Sequence, residues 1–252
     1  MASYFIWNGV DCRSRGVRLR GPMDIIRPEE RVQHIQIPGR DGDLTITEGQ
    51  HIYNSYIRTA TISVTGWHNV RAVYEWLRGD GYLTVSGEPD RKQRARVIGA
   101  VTLSKVSKNL DVWTGEVQWY CQPLKELITD TAVTITAATD VINAGDVEAR
   151  PLFVVTPSAS GSTSALVNIS TSRTVDGEAV LERIVVPQVP VSNAKLYIDC
   201  ESQMIWVVVG SGDPTAWSSR ATGVFPRLSQ GANYIDGSGW SEIKITKRER
   251  YL

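Results

Sequence analysis

The sequence has no excess of either charge, because 27 Lys and Arg residues balance 27 Asp and Glu residues among its 252 positions. Such a balance leaves no long-range electric field to gather nucleic acid or an anionic membrane surface. No run of about 18 apolar residues could span a bilayer, and the first residues lack the basic and apolar segments of a secretory signal. We therefore expect a protein that is made and kept in the cytosol, with no dedicated nucleic-acid or membrane partner.

Cysteine and histidine are scarce, and neither type falls into a pattern that supports chemistry. The three cysteines are Cys12, Cys121 and Cys200. An odd number of widely separated cysteines disfavours both a disulfide framework and a zinc knuckle, so reduced, packed thiols are expected. The three histidines are His34, His51 and His68. They lack the spacing of zinc proteases, and no GxSxG motif is present, so we predict no catalytic residue, no metal, no cofactor and no enzymatic activity.

Alternating apolar and polar residues dominate the first half of the chain. In the segment YIRTATISVTG, Ala60, Ile62 and Val64 point to one face while the residues between them point to the other, as in a strand with one buried side. Similar patterns predict further strands at residues 31–37, 44–47, 82–85, 95–103 and 113–121. We therefore expect this half to be mostly β.

One segment of this half has helical periodicity instead. In NVRAVYEWLRGDGYL, apolar residues recur at spacings of three or four, namely Val70, Val73, Tyr74 and Leu77. Asn69 is expected to cap the start of this helix, and Gly79 or Gly81 to supply the left-handed residue that ends it. We predict a single helix of about three turns that lies across a sheet.

The second half of the chain is rich in Thr, Ala, Ser and Gly and shows no helical stripe. Short apolar runs predict strands at residues 133–136, 152–156, 165–170, 181–186, 195–200 and 204–209. Residues 201–203 are expected to form a hairpin loop, and Asp236-Gly237 a turn before the last strand. Many short strands at this spacing predict a sandwich or a jelly roll.

The segment IPGRDGDL, residues 37–44, contains two glycines and three charged residues. It is not a phosphate loop, because GxxxxGK[ST] and a following helix are both missing. It is not a calcium loop either, since the repeated Asp and the distal Glu of that motif are absent. A tight turn between two strands is the stronger interpretation, and Arg40, Asp41 and Asp43 are candidate residues for a subunit interface at this turn.

A loose basic stretch consists of Arg71, Arg78, Arg91, Lys92, Arg94 and Arg96. Acidic residues lie among these positions, so a solvated edge or a salt-bridged subunit contact is favoured over a nucleic-acid patch. The sequence as a whole has 20 Arg and 7 Lys, as expected of interfaces built on bidentate pairing. Arg78, Arg94 and Arg96 are therefore candidate interface residues, together with Trp76.

Several separated segments resemble motifs of the siphophage distal tail protein (Dit) family, in the family's order along nearly the whole chain. FIWNGVDCRSRGVRL is similar to the first strand F-x-x-NG-x-(D/S), IPGRDGDL to the PGRDG turn, and VYEWLRGDGYL to the WL helix with its G-x-L. VQWYCQPLKE resembles the aromatic-C-x-P signature that closes the N-terminal domain. Asn143-Ala-Gly with Glu148-Ala-Arg-Pro151 resembles the N-x-G-(x)n-P opening of the C-terminal domain. FPRLSQGANYI and ITKRERYL resemble the P-x-L-x-x-G-x-N turn and the closing strand.

This resemblance implies a mainly β chain, with an N-terminal β-sandwich-like domain with one helix at residues 1–128 and a C-terminal galectin-like β-sandwich at residues 129–252. It implies a structural virion protein of the phage tail tip, of which six copies close a ring whose lumen lets DNA pass. The implied partners are sister copies, the major tail protein, the tape measure protein, the tip hub protein and receptor-binding proteins. Head-to-tail contacts between copies can close such a ring.

The alternative hypothesis is a carbohydrate-binding protein that contributes to host attachment. It is motivated by the implied galectin-like sandwich and by Trp206, Trp217 and Trp240, whose rings could stack on sugars. Aromatic side chains are enriched in cores and interfaces, which makes a packing role the simpler interpretation. The chain has no insertion long enough for an added carbohydrate-binding module, which disfavours direct recognition of host sugars.

Overall fold

The computed structural model describes residues 3–47, 52–175 and 177–252, so His51 lies outside the described residues. The chain forms two compact units. Unit 1 contains the residues up to Ile128 together with Leu252, and unit 2 contains Thr129–Tyr251. Both units are mainly β, and the described residues contain one α-helix, as the sequence pattern predicts.

Within its described residues, unit 1 contains nine strands, one α-helix and a short 3-10 helix at Cys12–Arg15. The strands are β1 (Phe5–Trp7), β2 (Val10–Asp11), β3 (Val17–Leu19), β4 (Val32–Ile35), β5 (Leu44–Thr47), β6 (Tyr56–Thr65), β7 (Asp80–Val85), β8 (Glu88–Ser107) and β9 (Leu110–Leu127), and the helix is α1 (Trp67–Trp76). The main sheet has the antiparallel order β2-β1-β7-β8-β9-β6-β3, whereas β4 and β5 form a separate two-stranded sheet.

The core of unit 1 lies between one face of the main sheet and α1. Along β6 the side chains of Ala60, Ile62 and Val64 are buried, in agreement with the predicted alternation. Phe5 lies at the centre of an aromatic group, because its ring stacks on Trp76 with centroids 5.6 Å apart and meets Trp119 edge-on at 5.1 Å. Aromatic pairs in these geometries add stability beyond the area that they bury.

Helix α1 begins three residues earlier than a cap at Asn69 predicts, and the predicted cap is wrong. Gly66 occupies the N-cap position. Asn69 lies within the first turn, where its side-chain amide donates to the Thr65 carbonyl at 2.6 Å. The carboxylate of Asp111, at the start of β9, accepts a hydrogen bond from the Trp67 amide at 3.0 Å. A residue far away in sequence therefore satisfies a free amide at the helix start.

The turn after β1 contacts the start of the neighbouring strand β7. Asn8 and Gly9 both have positive φ and form the turn between β1 and β2. The side-chain oxygen of Asn8 accepts a hydrogen bond from the Tyr82 amide at 2.9 Å. A Cβ on Gly81 would lie 1.8 Å from that oxygen, so only glycine leaves room for this contact.

Unit 2 is a β-sandwich with a short 3-10 helix at Ser218–Arg220. Its strands are β10 (Val133–Ile135), β11 (Thr139–Asn143), β12 (Leu152–Pro157), β13 (Ser164–Val175), β14 (Glu178–Pro190), β15 (Ala194–Asp199), β16 (Met204–Val209), β17 (Thr215–Ala216), β18 (Thr222–Gly223), β19 (Gly231–Ser238), β20 (Trp240–Thr246) and β21 (Arg250–Tyr251). One sheet has the order β10-β20-β12-β15-β16-β17 and the other β11-β19-β13-β14-β18. Buried side chains from both sheets form one core. The predicted turn at Asp236-Gly237 is wrong, since both residues lie within β19 and the chain turns at Gly239.

Two buried asparagines fix the loops of unit 2. Asn143 donates to the carbonyls of Val147 at 3.1 Å and Leu228 at 3.0 Å, and its oxygen accepts from the Gly145 amide at 3.0 Å. Asn233 makes a similar set of bonds within the segment from Ser229 to Gly231. The side chains of these two asparagines therefore supply hydrogen bonds to buried backbone groups of the loops.

Candidate subunit interface

The buried ionisable groups of unit 2 are engaged with one another. The Glu182 carboxylate accepts from Arg173 at 2.9 Å and from Arg227 at 2.6 Å, and Glu148 contacts the same two guanidinium groups. Arg173 and Glu182 are almost completely buried. A buried arginine of this kind requires carboxylate partners, so the cluster holds strands together.

All three cysteines are buried and free, as expected from their spacing. Burial raises the pKa of the Cys121 thiol to about 11 and moves the pKa of Cys200 well above its usual range. Such thiols remain protonated near neutral pH, and the thiolate is the reactive form. Within residues 3–47, 52–175 and 177–252, no group of three His, Cys, Asp or Glu residues is arranged to hold a metal ion. The same residues include no helix with the length and apolar character that a membrane crossing requires.

Strands β4 and β5 form an amphipathic ribbon, here called the arm and defined as residues 30–47 with 52–53. The register pairs Ile35 with Leu44 and Gln33 with Ile46, so these side chains share one face. At the base of the arm, Glu30 bridges Tyr53. In the part of the chain that the structure describes, neither strand of the arm pairs with the main sheet.

The apolar face of the arm is open to solvent. Ile35 is 42%, Ile37 39% and Ile46 42% exposed. The predicted turn is present, and Arg40, Asp41 and Asp43 lie at the tip of the arm with exposed side chains. A two-stranded ribbon with an exposed apolar face is marginally stable in water by itself. This part of unit 1 is therefore suited to contact with another surface.

A groove of about 960 Å³ lies along β3, which is the last strand of the main sheet. Its lining includes Arg13, Arg18, Leu19, Arg20, Pro22 and His68. Arg13 is occupied, since it pairs with Asp11 at 2.5 Å and its guanidinium lies over the Tyr4 ring. We call this region the edge groove. It combines an apolar floor with an arginine-rich rim.

The arginine-rich stretch predicted as an interface is divided between α1 with the residue Arg78 that follows it and strand β8 of the main sheet. Arg94 is exposed opposite Tyr82, and Arg96 lies between Asp80 and Tyr120 on the neighbouring strands. Arg96 pairs with Asp80 at 3.4 Å, with both side chains 64% exposed. An ion pair as exposed as this one contributes little stability. Arg78 is exposed just after α1. Arg94 and Arg96 share the outer face of the main sheet with exposed Tyr82 and Tyr120, whereas Arg78 does not join them, so these residues do not converge on one site.

Trp76 differs from the other predicted interface residues. Its ring stacks on Phe5, and its indole nitrogen donates to the Trp7 carbonyl at 3.3 Å. Trp76 is therefore part of the core. The exposed tryptophan of α1 is Trp67, which is 61% exposed and whose ring lies 5.1 Å from that of Trp113. Trp67 lies outside the apolar stripe of the helix, in agreement with its exposure.

The three tryptophans considered for sugar stacking do not form one surface. Trp217 and Trp240 pack against the core of unit 2. The Arg220 guanidinium covers the Trp217 ring at 4.1 Å. Trp206 is half-buried on β16, where it stacks on Tyr197 at 5.2 Å with an interplanar angle of 5°. One face of the Trp206 ring is thus covered by Tyr197, which leaves less of the ring for a sugar.

The fold of the chain is found in solved structures of phage tail proteins. The crystal structure titled as SPP1 Dit (gp 19.1), "a Paradigm of Hub Adsorption Apparatus in Gram-positive Infecting Phages", is similar with a TM-score of 0.68 and 19% identity over 100% of both chains. A chain of the phage P2 baseplate in its activated conformation is similar with a TM-score of 0.52 and 9% identity, also over 100% of both chains. No family model and no curated protein matches the sequence. The resemblance to distal tail proteins that the sequence motifs indicate is thus confirmed at the level of the fold.

Proposed function

We propose that the protein is a structural subunit of a phage tail tip that associates with copies of itself into a six-membered ring. Unit 1 builds the ring, whose lumen continues the tail tube and lets DNA pass. Unit 2 projects outward as a docking platform for tip proteins. The tail tube protein, the tape measure protein, the tip hub protein and receptor-binding proteins are the expected partners. The protein acts in the virion, without catalysis or a cofactor.

The observation that carries this proposal is the agreement of fold over the full length with a protein titled as part of a hub adsorption apparatus. Unit 1 supports it independently, because the arm exposes an apolar face and the edge groove offers a recess elsewhere on the same unit. Contacts between two different surfaces of identical chains are head-to-tail, and such contacts close into rings when the rotation permits.

Electron microscopy of the purified full-length protein tests the proposal directly. A six-fold annulus with a central hole is the expected result. Light scattering at several protein concentrations, with and without tail-tube protein, is the companion measurement, since association between copies makes the apparent mass rise with concentration. A chain that stays monomeric under all of these conditions would contradict the proposed function.

A further inference from the structure

We propose that the arm of one copy docks on the edge groove of a neighbouring copy, so that Asp41 and Asp43 at the tip face Arg18 and Arg20. This inference rests on the proposed function, because it names the contact through which copies of the chain associate. The occupant of the groove is therefore a second copy of this chain, held by a strand-like contact along β3 and by ion pairs at the tip.

The first step concerns the arm, whose apolar face is too exposed for a ribbon that remains alone. From Glu30 to Ile37 it extends roughly 25 Å at the usual rise per strand residue. Ile35 and Ile46 lie on the face that Leu44 shares, Ile37 follows the end of β4, and each of these three isoleucines is close to 40% exposed. Apolar side chains gathered on one face of a projecting element are typical of a surface that becomes buried in an assembly.

The second step concerns the edge groove, which can accept an extended segment. Val17–Leu19 forms the last strand of the main sheet and pairs only with β6 in the described residues, so its other edge carries free backbone groups. An extended chain can add to such an edge through main-chain hydrogen bonds. Leu19 and Pro22 provide apolar surface beside this edge. A volume of about 960 Å³ is ample for several side chains of an incoming strand.

The third step is charge. Arg18 and Arg20 are exposed at the groove, and within the described residues their guanidinium groups form no ion pair with a carboxylate. The same holds for the carboxylates of Asp41 and Asp43 at the tip of the arm. Arg13 at the groove is already paired with Asp11, so Arg18 and Arg20 carry the available positive charge there, and Arg40 lies beside the two acids of the tip. Two unpaired acids on one surface and two unpaired arginines on another are complementary between copies, and such complementarity selects partner and register.

Charge reversal tests this contact in the full-length protein. The groove variant is R18D/R20D and the tip variant is D41R/D43R, and all four side chains are exposed, so folding should be preserved. Each variant alone is expected to associate about 10-fold or more weakly than the wild type, because two ion pairs are replaced by repulsion. The matched control D140R/D213R makes the same change of net charge as the tip variant, at exposed positions of unit 2, and should associate like the wild type.

Mixing the two variants provides the decisive comparison. In an equimolar mixture the acidic groove of one variant meets the basic tip of the other, and the basic groove meets the acidic tip, so an alternating assembly with an even number of subunits is complementary throughout. Sedimentation velocity should show association restored to within about twofold of the wild type. A disulfide formed between separate D41C and R18C chains would give the same answer, because the three native thiols are buried.

The outcomes separate this inference from the proposed function. If the wild type forms rings but the charge variants do so equally well, or if mixing does not restore association, the arm contact is wrong and the proposed function stands. If a disulfide forms within one D41C/R18C chain and not between chains, the arm folds back on its own groove and the inference is overturned. If the wild type remains monomeric with tail-tube protein present, both proposals fail together.

Discussion

Replacement of Asn143 by alanine is expected to destabilise unit 2 by ~3 kcal/mol. The side chain is 1% exposed and makes three hydrogen bonds, to the carbonyls of Val147 and Leu228 and from the amide of Gly145. Alanine removes these three hydrogen bonds, and of the three backbone groups the Leu228 carbonyl keeps a second partner, the Ala149 amide at 2.8 Å. Each lost bond of this kind costs about 1 kcal/mol, which gives the total. The expected loss of stability arises from backbone groups inside unit 2, so the measurement needs no ligand or partner protein.

Scanning calorimetry of the full-length protein measures the effect, with the transition of unit 2 followed separately from that of unit 1. For a domain of this size a loss of ~3 kcal/mol lowers Tm by roughly 10 °C. The matched control is Asn109→Ala, because Asn109 is exposed in the loop between β8 and β9 and should leave Tm within about 1 °C. A loss below ~1 kcal/mol for Asn143→Ala would refute the reasoning, since it would mean that water or a rearranged loop replaces the asparagine.

Two further predictions concern glycine packing and pH. Gly81→Ala should destabilise unit 1 by ~1–2 kcal/mol, because the added Cβ displaces the Asn8 side chain from the Tyr82 amide. In urea unfolding, the double variant N8G/G81A should lose less stability than the sum of the losses in the two single variants. For unit 2, burial raises the pKa of Asp199, but hydrogen bonds from Arg248 and from backbone amides outweigh burial, so the pKa in the folded protein is lowered. This contribution to stability is complete above about pH 4 and is lost as the pH falls through the lowered pKa, so Asp199→Asn should flatten the loss of Tm in acid.

Each of these predictions has a clear counter-result. Strict additivity of the N8G and G81A effects would show that the two residues do not compete for space. For the pH series, Asp213→Asn is the matched control, since Asp213 is an exposed aspartate of the same unit. An unchanged acid slope in the Asp199 variant, equal to that of the control, would mean that other carboxylates govern the acid stability of unit 2.

Strand positions were predictable from sequence because burial on one face imposes period two. The predicted segments at residues 44–47, 152–156 and 204–209 coincide closely with strands of the fold. The lengths of β8 and β9 were not predictable, since these strands extend well beyond the segments predicted at residues 95–103 and 113–121. Beyond those segments the two strands stabilise each other by backbone pairing, and that pairing leaves no apolar alternation in the sequence.

The ends of elements were less predictable for a related reason. A local rule assigned Asn69 as the cap of α1, whereas the group that bonds to the first turn is Asp111, more than 40 residues away. Likewise, the asparagines and glycines of the family-like motifs appeared as isolated residues. The fold explains these residues. The Asn8 side chain occupies the position that a Cβ on Gly81 would take, and Asn143 donates a hydrogen bond to the Leu228 carbonyl in a distant loop. A single sequence gives no information about which distant segments meet.

The candidate interface residues differ in whether they already have partners within the chain. The Trp76 ring stacks on Phe5 and its indole nitrogen donates to the Trp7 carbonyl, so both the ring and the N–H group have partners within unit 1. Arg96 has an acidic neighbour on the adjacent strand. Arg18 and Arg20 did not belong to the basic stretch of the sequence, because they are separated from it by about 50 positions. A count of arginines therefore indicates interfaces in general, but the presence or absence of a carboxylate within reach decides which arginines are available to a partner.

The balance of charge over the whole chain restricts how copies can attract one another. With 27 basic and 27 acidic residues, two copies have no net attraction or repulsion at long range. Electrostatic selection of one docking geometry then requires opposite charges to be separated onto different patches of the same molecule, and screening limits their effect to about 8 Å at physiological ionic strength. The acidic tip of the arm and the arginines of the edge groove meet this condition. In the contact proposed above the two patches differ, so each copy would use one of each, and head-to-tail contacts of this kind close into a ring when the rotation permits.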